Sequence, residues 1–152
     1  MSNPTEKAKD RRVLSVPAGI THAHMTEHNV YSCPENYPLH DTGVDAFAPR
    51  NEEGRIPRLY CIITRIVTDP RNPVFPPNLK PDYAQSIAAY IRAVSHLKGM
   101  LDNGGSYRFY ILSDLENGAL KHSPSINPPG PSHVYLSLKD LISGSPVVSP
   151  AK

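Results

Sequence analysis

The chain has 152 residues, 39% hydrophobic and 20% charged, with a formal net charge of +2. That is one domain's length of chain with enough apolar material for one core. Its 17 prolines exclude long helical bundles, coiled coils and helical solenoids, because proline breaks helix interiors. No stretch approaches the ~20 apolar residues of a membrane-spanning helix, so no membrane partner is expected.

Of 16 basic and 14 acidic residues, four and two fall within residues 1–12, which leaves twelve of each in the other 140. A body of zero net charge has no global field to draw in polyanions, so any nucleic-acid binding must come from a local groove. Residues 1–12 read as a disordered basic arm with no apolar segment behind it. The expected location is that of a secreted protein in mature form, without its signal peptide, and the alternative is cytoplasmic.

Residues 13–142 read as a single α+β domain, and 143–152 as a frayed polar tail. Within 13–57, prolines at 17, 34, 38, 49 and 57 and glycines at 19, 43 and 54 punctuate the chain, and only a short element around Val44–Phe47 fits. His22, His24 and His28 lie in THAHMTEH. In a strand His22 and His24 would share a face and could hold zinc with His28 or Glu27. The competing reading is three solvated histidines, and no metal or other cofactor is expected. His40 lies beside Asp41 and near Glu35, a setting that suits general acid–base chemistry near neutral pH. Cys33 and Cys61 are the only cysteines, with a bridge and two free thiols equally open. Cys61 lies in an apolar run and is expected to be buried.

That run, Arg58 to Val67, is the clearest strand. Leu59, Cys61 and Ile63 alternate with Tyr60, Ile62 and Ile66, a pattern that suits a central strand covered on both sides. Residues 68–81 hold five prolines and form a loop. A helix starts at Pro81–Asp82, with proline at the first position and an acid at the positive end of the dipole. Ile87, Ile91, Val94, Leu97 and Leu101 make its apolar face, and Asn103-Gly104-Gly105 ends it. Next come a strand over 106–112 (SYRFYIL), a turn over 113–118, a second proline-rich loop over 124–131, and a strand over 133–138 (HVYLSL). The expected fold is therefore α+β: one main helix on a twisted, mostly antiparallel sheet of three to five strands, with long proline-rich loops.

No phosphate-binding, dinucleotide-binding, nucleophile-elbow or zinc-protease motif occurs, so nucleotide cofactors and those chemistries lack support. Tyr107, Phe109 and Tyr110 interleave with Arg108, and Arg108 and Tyr110 take the face opposite the core pair. Exposed, that face could stack a base and touch a phosphate.

Tyr107-Arg108-Phe109-Tyr110-Ile111-Leu112-Ser113, followed by Pro129-Gly130-Pro131-Ser132-His133-Val134-Tyr135, resembles the central strands of the fungal guanyl-specific ribonuclease and ribotoxin family. Tyr31-Ser32-Cys33 is similar to the aromatic-x-cysteine signature of secreted fungal effectors built on that fold. The resemblance implies one helix packed on a twisted antiparallel sheet, with 106–112 beside 133–138. Arg108 stands where the family has a catalytic glutamate, and His133 where it has an arginine. Tyr37-Pro38-Leu39-His40 only approximates its tyrosine-proline-histidine element, and no histidine follows His133. A guanidinium cannot accept a proton. The resemblance thus implies a ribonuclease-like scaffold without catalysis, using Arg108, Tyr110, His133 and Tyr135 to grip RNA or a host protein. Two alternatives stand beside this: an active ribonuclease with His40 and His133 as its acid–base pair, and a small intracellular interaction or immunity-type protein of unrelated α+β fold.

Overall fold

A computed structural model describes residues 11–37, 39, 44–97, 101, 105–130 and 132–150, except for the side chains of Ile20, Glu116 and Asn117. The architecture is α+β. In chain order the elements are β1 (Arg12–Pro17), α1 (His22–His28), β2 (Val30–Pro34), β3 (Ala46–Arg50), β4 (Arg58–Thr68), α2 (Pro81–Val94), β5 (Tyr107–Ala119), β6 (Ser125–Ile126), β7 (Val134–Ser137), α3 (Leu138–Ile142) and β8 (Val147–Val148). Six strands pair in the order β2-β5-β4-β3-β1-β7, and β6 pairs with β8. The main sheet is mixed, because β1 runs parallel to β3 and antiparallel to β7. It has one strand more than the largest number expected.

The chain divides into two compact units, each discontinuous in sequence: Met1–His22, His40–Cys61 and Asp114–Lys152 form one, Ala23–Leu39 and Ile62–Ser113 the other. In the first unit Val13 stands opposite both Ala46 and Leu136, so one rung of three strands points into one core. That core includes Ile56, Leu59, Ile126, Leu141 and Val148. All five residues of β3, and Val13 to Val16 in β1, are buried, which makes these the strands covered on both faces. Buried Ser15 keeps its hydroxyl satisfied by donating to the carbonyl of Ala48 at 2.7 Å. Arg12, assigned to the arm by sequence, opens β1, and Val147–Val148, in the segment expected to fray, pairs with β6. Val148 is drawn there because its side chain completes the core.

In the second unit α2 packs Ile87, Tyr90 and Val94 against Val30, Ile66, Tyr107, Phe109 and Ile111. Tyr90 takes a place the aliphatic pattern did not assign it. Its ring meets Phe109 edge-on at 6.5 Å, and its hydroxyl lies 2.9 Å from that of Ser32. The helix starts at Pro81 as the sequence suggests, but stops at Val94. Ser95 accepts the last helical position, and Leu97 N–H turns back to the Val94 carbonyl. Of the expected stop, residues 103 and 104 lie outside the described residues, and Gly105 has a φ of +77°.

Two strand expectations need correction. On β4, Ile63 is 47% and Val67 45% exposed and Cys61 is only half-buried, so this strand is not covered on both faces. The presumed turn at 113–118 is a continuation of β5. Gly118 permits it: a Cβ there would sit 2.7 Å from the Leu59 carbonyl oxygen. The glycine serves close strand approach, not chain reversal.

Candidate functional site

The four binding residues named from sequence fall into the two units, Arg108 and Tyr110 in one and His133 and Tyr135 in the other. Nor are their strands neighbours: β5 pairs with β2 and β4, and β7 pairs with β1. The expected adjacency of 106–112 and 133–138 is thus overturned.

Arg108 is 6% and Tyr110 1% exposed. The Arg108 guanidinium donates to the carbonyl oxygen of Leu39 at 3.0 Å, to that of Tyr37, and to the Tyr110 hydroxyl at 3.3 Å. Its Nε has no hydrogen-bond partner among the described residues. Tyr110 also packs on Tyr31, with ring centroids 5.9 Å apart. This is a cation holding the carbonyls of Tyr37 and Leu39, not one facing a ligand, and both residues leave the candidate site. The alternation of 107–112 separates two faces correctly. It carries no information that a distant segment covers the second one.

His133 and Tyr135 remain at the surface, with a third member the sequence reading assigned to the arm. Arg12 sits diagonally across the β1–β7 pair, its guanidinium 4.2 Å from the centroid of the Tyr135 ring, while His133 meets that ring edge-on at 5.9 Å. Arg12 is exposed and both aromatic side chains are half-buried. The signal for Arg12 was cross-strand register, which no local pattern reveals. His40 and Asp41 lie outside the described residues, so the proposed His40–His133 pair has no geometry here.

The histidine trio is in helix, not strand. Helical spacing puts His24 and His28 on one face and turns His22 away. Buried Met25 and the preceding turn, closed by Thr21 donating to the Ala18 carbonyl at 2.7 Å, fix that conformation. His28 lies 3.6 Å from Glu27, and no group of three metal-ligating side chains occurs among the described residues. Burial lowers the pKa of His22, opposed by the charge of Glu53, and its Nε2 has no hydrogen-bond partner among the described residues. Cys33 and Cys61 are free thiols. They lie on β2 and β4, which are not neighbours in the sheet order.

Each unit also carries a cleft. In the first, a cleft of about 410 Å³ is walled by Arg50, Glu53, Ser125 and Asn127, among others. Arg50 is 5% exposed and donates to the carbonyls of Gly130 at 3.2 Å and Ser132 at 2.6 Å. In the second, a cleft of about 310 Å³ lies between β4 and the loop before α2. No helix among the described residues is long and apolar enough to cross a membrane.

No protein-family model, curated protein or solved structure matches this chain.

Proposed function

We propose that this chain is a non-catalytic binding protein, a small interaction module whose partner is another protein. The observation that carries this reading is the Arg12–Tyr135–His133 cluster, built by the start of β1 and by β7, the strand at one end of the main sheet. Arginine and tyrosine supply much of the binding energy at protein interfaces. An edge strand adds backbone groups that an extended segment can pair with. The balanced charge beyond residue 12 weighs toward a protein partner, since nothing global attracts a polyanion.

A second reading, RNA binding on a ribonuclease-like scaffold of the secreted effector kind, draws on the same cluster. A ring flanked by a guanidinium can stack a base while the cation meets phosphate. One experiment separates the readings. Immobilised chain is exposed to a lysate of its source, with Tyr135→Ala and Arg12→Glu as comparisons, and retained protein and RNA are both measured. The expected result is a protein whose retention falls by roughly ten-fold or more in both variants. RNA retained with the same sensitivity selects the second reading. Cleavage of total RNA by the purified chain, abolished in His133→Ala, overturns both and restores an active ribonuclease.

A further inference from the structure

In the first unit β6 runs parallel to β8, with Ser125 opposite Val147 and Ile126 opposite Val148, and Arg55 bridges to Ser125 from the other side. Ile126 and Val148 belong to the core, together with Ile56. Successive side chains of a strand turn to opposite faces, so Ser125, Asn127 and Val147 share the face that leaves the core. All three wall the cleft of about 410 Å³, as do Glu53 and Gly54 from the turn before Arg55. Asn51 sets that turn. Its Oδ1 accepts from the N–H groups of Glu53 and Arg55, each at 3.0 Å, and its carbonyl accepts from the N–H of Gly54 at 2.9 Å. The Glu53 carboxylate is thus carried on a backbone tied by its own hydrogen bonds.

The hydrogen-bonding capacity of these walls says what they can hold. The Glu53 carboxylate, the Ser125 hydroxyl and the Asn127 amide have no hydrogen-bond partner among the described residues. Arg50, the only cation of the lining, is engaged by the carbonyls of Gly130 and Ser132, and its charge balances that of Glu53. Walls of zero net charge do not select an ion. An apolar ligand would strip water from three polar side chains without replacing their hydrogen bonds, at about 1–3 kcal/mol each. A ligand that suits both conditions is neutral and carries groups that donate and accept at once, which are hydroxyls. Two neighbouring O–H groups can donate to the two oxygens of one carboxylate, and such charge-assisted bonds are the stronger kind. Val147, 47% exposed, and Pro129 supply an apolar patch beside them.

We propose that this cleft binds a neutral pyranose sugar. Two adjacent hydroxyls of the ring donate to the Glu53 carboxylate, others exchange hydrogen bonds with Ser125 and Asn127, and a face of ring C–H groups lies on Val147 and Pro129. The volume of about 410 Å³ falls in the range of small-ligand pockets, with room for a sugar ring. No residue of the Arg12–Tyr135–His133 cluster takes part, so this site stands or falls independently of that surface.

The probes are the methyl glycosides of glucose, galactose, mannose and N-acetylglucosamine, each titrated into the full chain and followed by amide-resolved NMR. N-acetylarginine amide and inorganic phosphate serve as the cationic and anionic controls. Expected is saturable binding of at least one glycoside with a Kd on the order of 1 mM, the affinity that about 0.3 kcal/mol per heavy atom gives a ligand of this size. The amides of Gly54, Ser125 and Val147 should shift with it. Glu53→Gln should weaken binding by about ten-fold and Ser125→Ala by several-fold. Neither side chain bonds to another described residue, so each variant should keep the parent's melting temperature; if one melts early, the other carries the test. No glycoside saturating below about 50 mM overturns the proposal. So does a glycoside affinity unchanged in both variants, or tighter binding of the arginine amide or of phosphate at the same amides.

Discussion

A guanidinium removed from water must keep its N–H groups occupied, and Arg108 does so on carbonyl oxygens 69 and 71 residues earlier in the chain. Lysine at this position supplies a single point charge and cannot span both acceptors with a planar fork. Arg108→Lys is therefore expected to lower stability by about 2–3 kcal/mol, read as a lower urea midpoint with an unchanged slope. Binding through the Arg12–Tyr135–His133 cluster should be untouched. A loss under about 0.5 kcal/mol would place this side chain among ordinary surface substitutions and contradict its burial. The sequence located Arg108 on the face opposite Phe109, which the register confirms by setting Cys33 opposite Arg108 and Ser32 opposite Phe109. Whether that face was wet depended on Tyr37 and Leu39, and no local alternation carries that knowledge.

At the level of elements, burial and close approach explain the departures from local pattern. β5 runs through a segment rich in turn-forming residues because Gly118 lets it pass the Leu59 carbonyl. Gly118→Ala places a methyl carbon 2.7 Å from that oxygen and is expected to cost about 1–3 kcal/mol in thermal or urea unfolding. A neutral result would mean that the strand can shift at this point. The contact between α2 and β2 makes a second prediction. Burial pushes the Tyr90 phenol up from 10.0 to about 12, tempered by its hydrogen bond to Ser32. The folded state therefore holds this proton at pH values where the unfolded chain has lost it. Its stabilising contribution is whole below about pH 10 and is lost as pH rises toward 12. Tyr90→Phe should cost about 1 kcal/mol at neutral pH and flatten the alkaline fall in stability, measured by urea midpoints from neutral to alkaline pH. An alkaline slope identical to that of the parent would show that Tyr90 does not titrate with unfolding. The start of α2 was legible because proline and an acid act locally at a helix N-terminus. Its early end was not, because the apolar spacing continues through Leu97 and Leu101, which pack on the same core without being helical.

For the whole molecule, the state of the two cysteines is open to direct count: both are free thiols. Cys33 and Cys61 occupy strands separated by β5. Protein purified from its source and unfolded in denaturant should titrate two thiols per chain, and in the native state the half-exposed Cys61 should react faster than buried Cys33. A count below two would show a bridge. The sequence by itself determined that the fold mixes helix and sheet, that strands run near 58–67, 106–112 and 133–138, and that a helix begins at Pro81. Those features follow from propensity, period and capping, which act over a few residues. Only the tertiary structure decided which face of each strand stays wet. It also made β1 and β3 the doubly covered strands, and it divided Arg108 and Tyr110 from His133 and Tyr135 between two units. The physical reason is that burial belongs to pairs of surfaces: alternation announces that a strand has two faces, and only the partner that packs there determines which one meets water.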